Sequence, residues 1–118
     1  MKEFPDQETL GFLVGLRVAN VVLQPYSIDI RFDDETILVV EHLIEHVDEN
    51  GNSQRMDIQE GFGTTALHKI VDKQVVSIVR VPFSLALRFD NKHTITVVSR
   101  PGPLESGHIW RDQDLFVF

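Results

Sequence analysis

The sequence predicts an α+β fold that is mainly β, with two similar antiparallel β-units joined by one short helix. Three observations predict it. First, the chain resembles itself: Val18–Asp33 lies over Val75–Asp90 at an offset of 75 − 18 = 57 residues. Val18, Val22, Pro25, Ser27, Arg31, Phe32 and Asp33 recur identically, and the match runs on through Leu38 with Ile95 and Val40 with Val97. Two copies are too few for a solenoid and suggest paired supersecondary units about a pseudo-two-fold axis. Second, Ile28, Ile30 and Phe32 alternate with polar residues, as do Leu85, Leu87 and Phe89 with Ser84, Ala86 and Arg88. Period-two alternation rich in β-branched and aromatic residues marks strands with one buried face. Third, turn residues punctuate the apolar runs. Pro25 and Pro82 fall between strands, where a missing N–H does least harm.

The elements follow in order. Asp33-Asp34-Glu35 and Asp90-Asn91-Lys92 are polar turns into strands over Thr36–Val47 and Thr94–Ser99. Asp48-Glu49-Asn50-Gly51-Asn52 reverses the chain around Asn-Gly into a short strand at Gln54–Ile58. Thr64 offers an N-cap to Ala66, Leu67, Ile70 and Val71 at helical spacing, which predicts the helix over about 64–71. Arg100-Pro101-Gly102-Pro103 breaks the chain, and strands at Ser106–Trp110 and Leu115–Phe118 close it. The domain expectation is one unit over 1–118, with the first repeat at about 13–58 and the second at about 72–118.

Composition excludes several function classes. With no cysteine among 118 residues, disulfides, thiolate zinc sites, cysteine nucleophiles and iron–sulfur clusters are ruled out. No apolar run reaches the ~18 residues of a membrane span, and the N-terminus has no signal-peptide core, so a cytoplasmic protein is expected. Net charge is −7, unevenly spread. Residues 1–60 hold 13 acids against four bases, a balance of −9, whereas residues 61–118 hold five acids and seven bases. That disfavours nucleic acid, which wants a basic stripe, and favours a cationic partner. The same acids also read as an ordinary solubilising surface.

Candidate chemistry is sparse. His42-Leu43-Ile44-Glu45-His46 matches the H-x-x-E-H pattern of inverted zinc peptidases. On a strand, however, residues four apart lie about 13 Å from one another, too far for one zinc. No G-x-S-x-G elbow occurs, and Gly61-Phe62-Gly63 lacks the third glycine and the lysine of a phosphate loop. No enzyme activity, cofactor or metal is expected. The binding candidates are Asp33, Asp34 and Glu35 in one turn, Glu41 and Glu45 along the strand, and Asp48 and Glu49 in the next turn. If Thr36–Val47 is one strand, its edge presents a row of carboxylates for a partner's Lys and Arg residues. Trp110 joins them as a residue type enriched at interface hot spots.

Certain residues carry a resemblance over most of the chain, from about Leu13 onward. They are the doubled apolar strand, the Pro25-Tyr26 and Pro82-Phe83 turns, the strands ending Arg31-Phe32-Asp33 and Arg88-Phe89-Asp90, and Pro103-Leu104-Glu105-Ser106 before Trp110. The pattern resembles the small β-rich bacterial immunity proteins found beside polymorphic and contact-dependent growth-inhibition toxins. It is also similar to a family of small uncharacterised bacterial proteins. The resemblance implies a small, single-domain, non-enzymatic protein that binds and neutralises a cognate toxin made by the same cell. The charge balance and the lack of a long apolar run leave no nucleic-acid or membrane partner expected. The charge balance makes that toxin basic, as a nuclease domain would be. Two other readings stand beside it: an interaction module or homodimer through Leu115–Phe118, and a small metal enzyme using His42, Glu45 and His46.

Overall fold

The computed structural model describes residues 3–61, 63–100 and 104–118. Among them ten strands form. They are β1 (Val18–Gln24), β2 (Ser27–Phe32), β3 (Ile37–Val40), β4 (Leu43–Val47), β5 (Ser53–Asp57), β6 (Val75–Val81), β7 (Ser84–Phe89), β8 (Thr94–Val98), β9 (Gly107–Arg111) and β10 (Asp114–Val117). The molecule is mostly β, as expected, and every strand pair is antiparallel. No helix among the described residues is long and apolar enough to cross a membrane.

The strands build two five-stranded sheets, β1-β2-β3-β9-β10 and β5-β4-β8-β7-β6. Each sheet therefore takes three strands from one half of the chain and a hairpin from the other. Local chemistry explains the hairpins. Gln24 pairs with Ser27 and Val81 with Ser84, so Pro25-Tyr26 and Pro82-Phe83 are two-residue turns. Proline's fixed φ suits the turn, and its missing N–H is not asked for by the ladder. A register shift falls between Val18 and Asn20 in β1 and between Val75 and Ser77 in β6. Glu35 and Lys92 take positive φ in the two following turns, a conformation that usually goes to glycine.

The alternating residues meet in one apolar cluster. Ile28, Ile30, Phe32, Leu38 and Ile109 enter it from the first sheet, and Ile44, Met56, Leu85, Leu87, Phe89, Ile95 and Val97 from the second. Phe4 and Phe118 stack in it with ring centroids 4.3 Å apart. The N-terminal arm also seals the edge of β6. Gln7 donates to the Ile78 carbonyl at 2.8 Å and accepts from the Arg80 N–H at 2.8 Å. The Arg80 guanidinium in turn donates to the carbonyls of Phe4 and Pro5.

Two expectations need correction. The strand predicted over Thr36–Val47 is broken: β3 ends at Val40, and β4 starts at Leu43 in the other sheet. Glu41 and His42 make the crossing. The Glu41 N–H still bonds Ser106 beside β9, while the His42 carbonyl already accepts from Ile58 beyond β5. Inward residues of both sheets face the same core, so the period-two pattern continues unbroken although the chain changes sheets. The single helix over 64–71 is also absent. Two 3-10 turns stand instead, at Thr9–Leu13 and Leu67–Ile70. Leu67 and Ile70 are buried, as are Leu10 and Leu13, but Ala66 makes no side-chain cap and Thr64 lies outside the turn. Two apolar anchors three apart satisfy one 3-10 turn and are too few to hold a longer helix.

Candidate functional site

The sequence-predicted acids fall into two groups on different sheets. The row along one strand edge does not form. β3 lies between β2 and β9, and β4 between β5 and β8, so neither is an edge.

The first group lies on the first sheet. Asp33, Asp34 and Glu35 are exposed in the β2–β3 turn. The turn closes by bonds from Phe32 to the Thr36 carbonyl and from Glu35 to the Phe32 carbonyl. One oxygen of Asp34 accepts from the Thr36 N–H at 2.9 Å. Among the described residues no cation within ion-pair distance neutralises any of the three. Arg111 lies instead over the Phe12 ring at 4.3 Å, and Arg31 faces Asp29 at 4.0 Å.

Trp110 stands beside this turn. It pairs directly with Ile37, the first residue of β3, and is 42% exposed. Directly opposed residues share a sheet face, so Ile37 and Trp110 share the outer one, while Leu38 and Ile109 are buried beneath. The strip continues along β9. The His108 ring meets Trp110 edge-on at 6.2 Å, and its Nδ1 lies 3.8 Å from a Glu41 carboxylate oxygen. A recess of about 460 Å³ adjoins Ile37, lined by Ala19, Asn20, Arg31, Phe32, Glu35 and Ile37. The β1 register shift shapes its rim, since Ala19 is left without a ladder partner. The fold thus brings five predicted residues, Asp33, Asp34, Glu35, Glu41 and Trp110, to one sheet.

The second group has other partners. Glu45 pairs across the ladder with Arg55, 3.6 Å from its guanidinium. Asp48 accepts from the N–H groups of Asn50 and Asn52 and so holds its own turn. Glu49 reaches His93 at 2.5 Å. Its own backbone N–H and then His93 hold the Glu49 carboxyl below the usual glutamate range.

His42 lies at the sheet crossing, and His46 lies buried on β4, where its Nε2 is 2.7 Å from His93 Nδ1. Burial is the main reason that both His42 and His46 bind a proton less readily than free imidazole. No group of three metal-capable side chains gathers among the described residues. Sequence reasoning missed His93. It stands 57 residues after Thr36, in the matching turn, and both are buried there. No local pattern ties it to His46, because their contact spans the two halves of the chain.

No family model matches this chain, and neither the curated proteins nor the solved structures hold a match.

Proposed function

We propose that this chain is a non-catalytic, immunity-type inhibitor. It would bind a cationic protein domain, such as a toxin nuclease, through the outer face of the first sheet. The observation that carries this reading is the unneutralised Asp33-Asp34-Glu35 turn next to the half-exposed Trp110. Carboxylates free of internal cations are available to a partner's Lys and Arg residues, and an exposed indole supplies contact area at low entropic cost. Three acids at a rim steer association more than they add affinity. The mechanism is steric and electrostatic: the residues that the toxin uses on nucleic acid are occupied, and no bond is made or broken. Glu41 extends the acidic face, while Glu45, Asp48 and Glu49 contribute at longer range, being engaged within the second sheet. The shared offset of 57 residues, the matched register shifts and the matched turns support an origin in two related units that exchanged their terminal hairpins.

The test is capture from a host lysate at low salt on the immobilised protein, followed by a salt gradient and mass spectrometry. A small basic protein should be retained, and salt should release it by slowing association. Reversal of Asp33, Asp34 and Glu35 to Lys should abolish retention, and Trp110→Ala should weaken it by about 2 kcal/mol, the hot-spot scale. Retention unchanged by either variant would remove this face from the reading.

A homodimer is the second reading, favoured by one feature. β10 ends the first sheet and leaves Leu115 at 47% exposure. A concentration-dependent dimer mass that reverts to monomer in Leu115→Asp would establish it. The intact chain running as a monomer at every concentration would exclude it. Removing the last four residues is a poor probe, because Phe118 is wholly buried.

A further inference from the structure

The most unusual buried chemistry lies on the second sheet, away from the proposed binding face. Glu49, His93 and His46 form a linear chain linking the β4–β5 turn to the β7–β8 turn and on to the middle of β4. His93 Nε2 is 2.5 Å from Glu49 Oε2, and His93 Nδ1 is 2.7 Å from His46 Nε2. Both imidazoles are 3% exposed, with ring centroids 5.0 Å apart.

The protons in this chain can be assigned from the acceptor at its end. A carboxylate can only accept, so His93 Nε2 carries a hydrogen. With both rings neutral, His93 Nδ1 is then a bare acceptor, and His46 Nε2–H donates to it. One added proton is tolerated: on His93 Nδ1 it points at His46, which shifts its own hydrogen to Nδ1 and accepts through Nε2, while Glu49 balances the charge on the His93 ring. A second proton has no such solution. Two N–H groups would then point at each other across 2.7 Å, between two positive rings shielded from water. An unfolded chain has no such restriction and takes up both protons near the ordinary imidazole range, around pH 6.5.

We propose that His46, His93 and Glu49 form a pH-sensitive latch. Mild acid drives a second proton onto the pair, breaks the His46–His93 bond and frees the β4–β5 hairpin from the β7–β8 turn. The charged groups around His46 come from three elements. Burial and then His93 make it harder to protonate, Asp48 and Glu49 on its own hairpin act the other way, and Lys69 from the second 3-10 turn adds to the resistance. The sign is fixed by linkage. His46 is harder to protonate in the fold than in the open chain. Its stabilising effect is therefore complete above about pH 6.5 and declines as pH falls below it. Glu49 acts in the same direction at lower pH, since its carboxyl titrates below the usual range. A recess of about 160 Å³ lined by His46, Asp48, Asn52, Ser53, Gln54 and Ala66 brings solvent to the edge of the latch.

The test is amide exchange and imidazole NMR on the full chain between about pH 7.5 and pH 5.0. After correction for intrinsic chemistry, exchange over 43–57 should rise about tenfold or more, while β1–β3 changes by less than about twofold. The His46 imidazole should titrate below the ordinary imidazole range, as its burial and then the neighbouring His93 require. His46→Gln keeps an amide donor to His93 but removes one titrating ring, so its hairpin should stay protected until the carboxylates titrate. A His46 imidazole that titrates at the ordinary midpoint in the parent chain would overturn the proposal, whether or not the variant folds. So would a hairpin whose protection is indifferent to pH, or a folded His46→Gln that opens at the same pH as the parent chain.

Discussion

Gly107 shows how much can rest on one missing side chain. It opens β9 at φ +154°, and a Cβ there would meet the Val39 carbonyl and sit 2.5 Å from the Phe118 ring. Neither neighbour can yield. Val39 belongs to the β3 ladder, and Phe118 is stacked on Phe4. Gly107→Ala should therefore cost roughly 3 kcal/mol, at the upper end for overpacking. Chemical denaturation should show a lower midpoint with the slope unchanged, and a midpoint equal to that of the parent chain would contradict the contact. Gln7 acts by addition rather than by absence. Its amide satisfies one outward carbonyl and one outward N–H of an edge strand. Neither this contact nor the His93 bond to His46 is legible in the sequence, since each joins residues far apart along the chain through a side chain that no local pattern marks.

At the scale of elements, what was legible is what depends on near neighbours. The alternation at Ile28–Phe32 and Leu85–Phe89, the proline turns and the Asn50-Gly51 reversal all appear within a residue or so of where the sequence placed them. Alternation does not say which sheet a strand joins, so the pattern over Thr36–Val47 fits one strand with an acidic edge, whereas β3 and β4 lie in different sheets and neither is an edge. The spacing of Ala66, Leu67, Ile70 and Val71 fits a helix as well as it fits the 3-10 turn at Leu67–Ile70, in which Leu67 and Ile70 are the buried pair. Strand edges carry their own prediction. With Gln7→Ala, the Ile78 carbonyl and Arg80 N–H lose their partners, at about 1 kcal/mol per bond. An unpaired edge also invites pairing with another chain. Light scattering that rises with concentration in Gln7→Ala but not in the parent chain is the expected result, and identical scattering would mean that the arm does not guard the edge. On β1, Val21 and Leu23 hold the places of Ile78 and Arg80. There they line a recess of about 130 Å³ with Thr65, Leu67, His68 and Val71.

The whole molecule separates its two chemistries. Unneutralised carboxylates and an exposed indole lie on the first sheet, and the titratable latch lies in the second. A salt series at pH 7.5 and a pH series at fixed salt therefore probe different sheets. The exchange of hairpins has a further consequence for how such a chain comes into being. While it emerges from the ribosome, β3 waits for β9 and β4 waits for β8, and both partners come from the later half. Neither sheet can be completed early, so the nascent first half carries apolar strands with open edges until the last hairpin arrives. Synthesis itself then becomes the period of greatest exposure to aggregation and proteolysis, and a stall in the second half endangers both sheets at once.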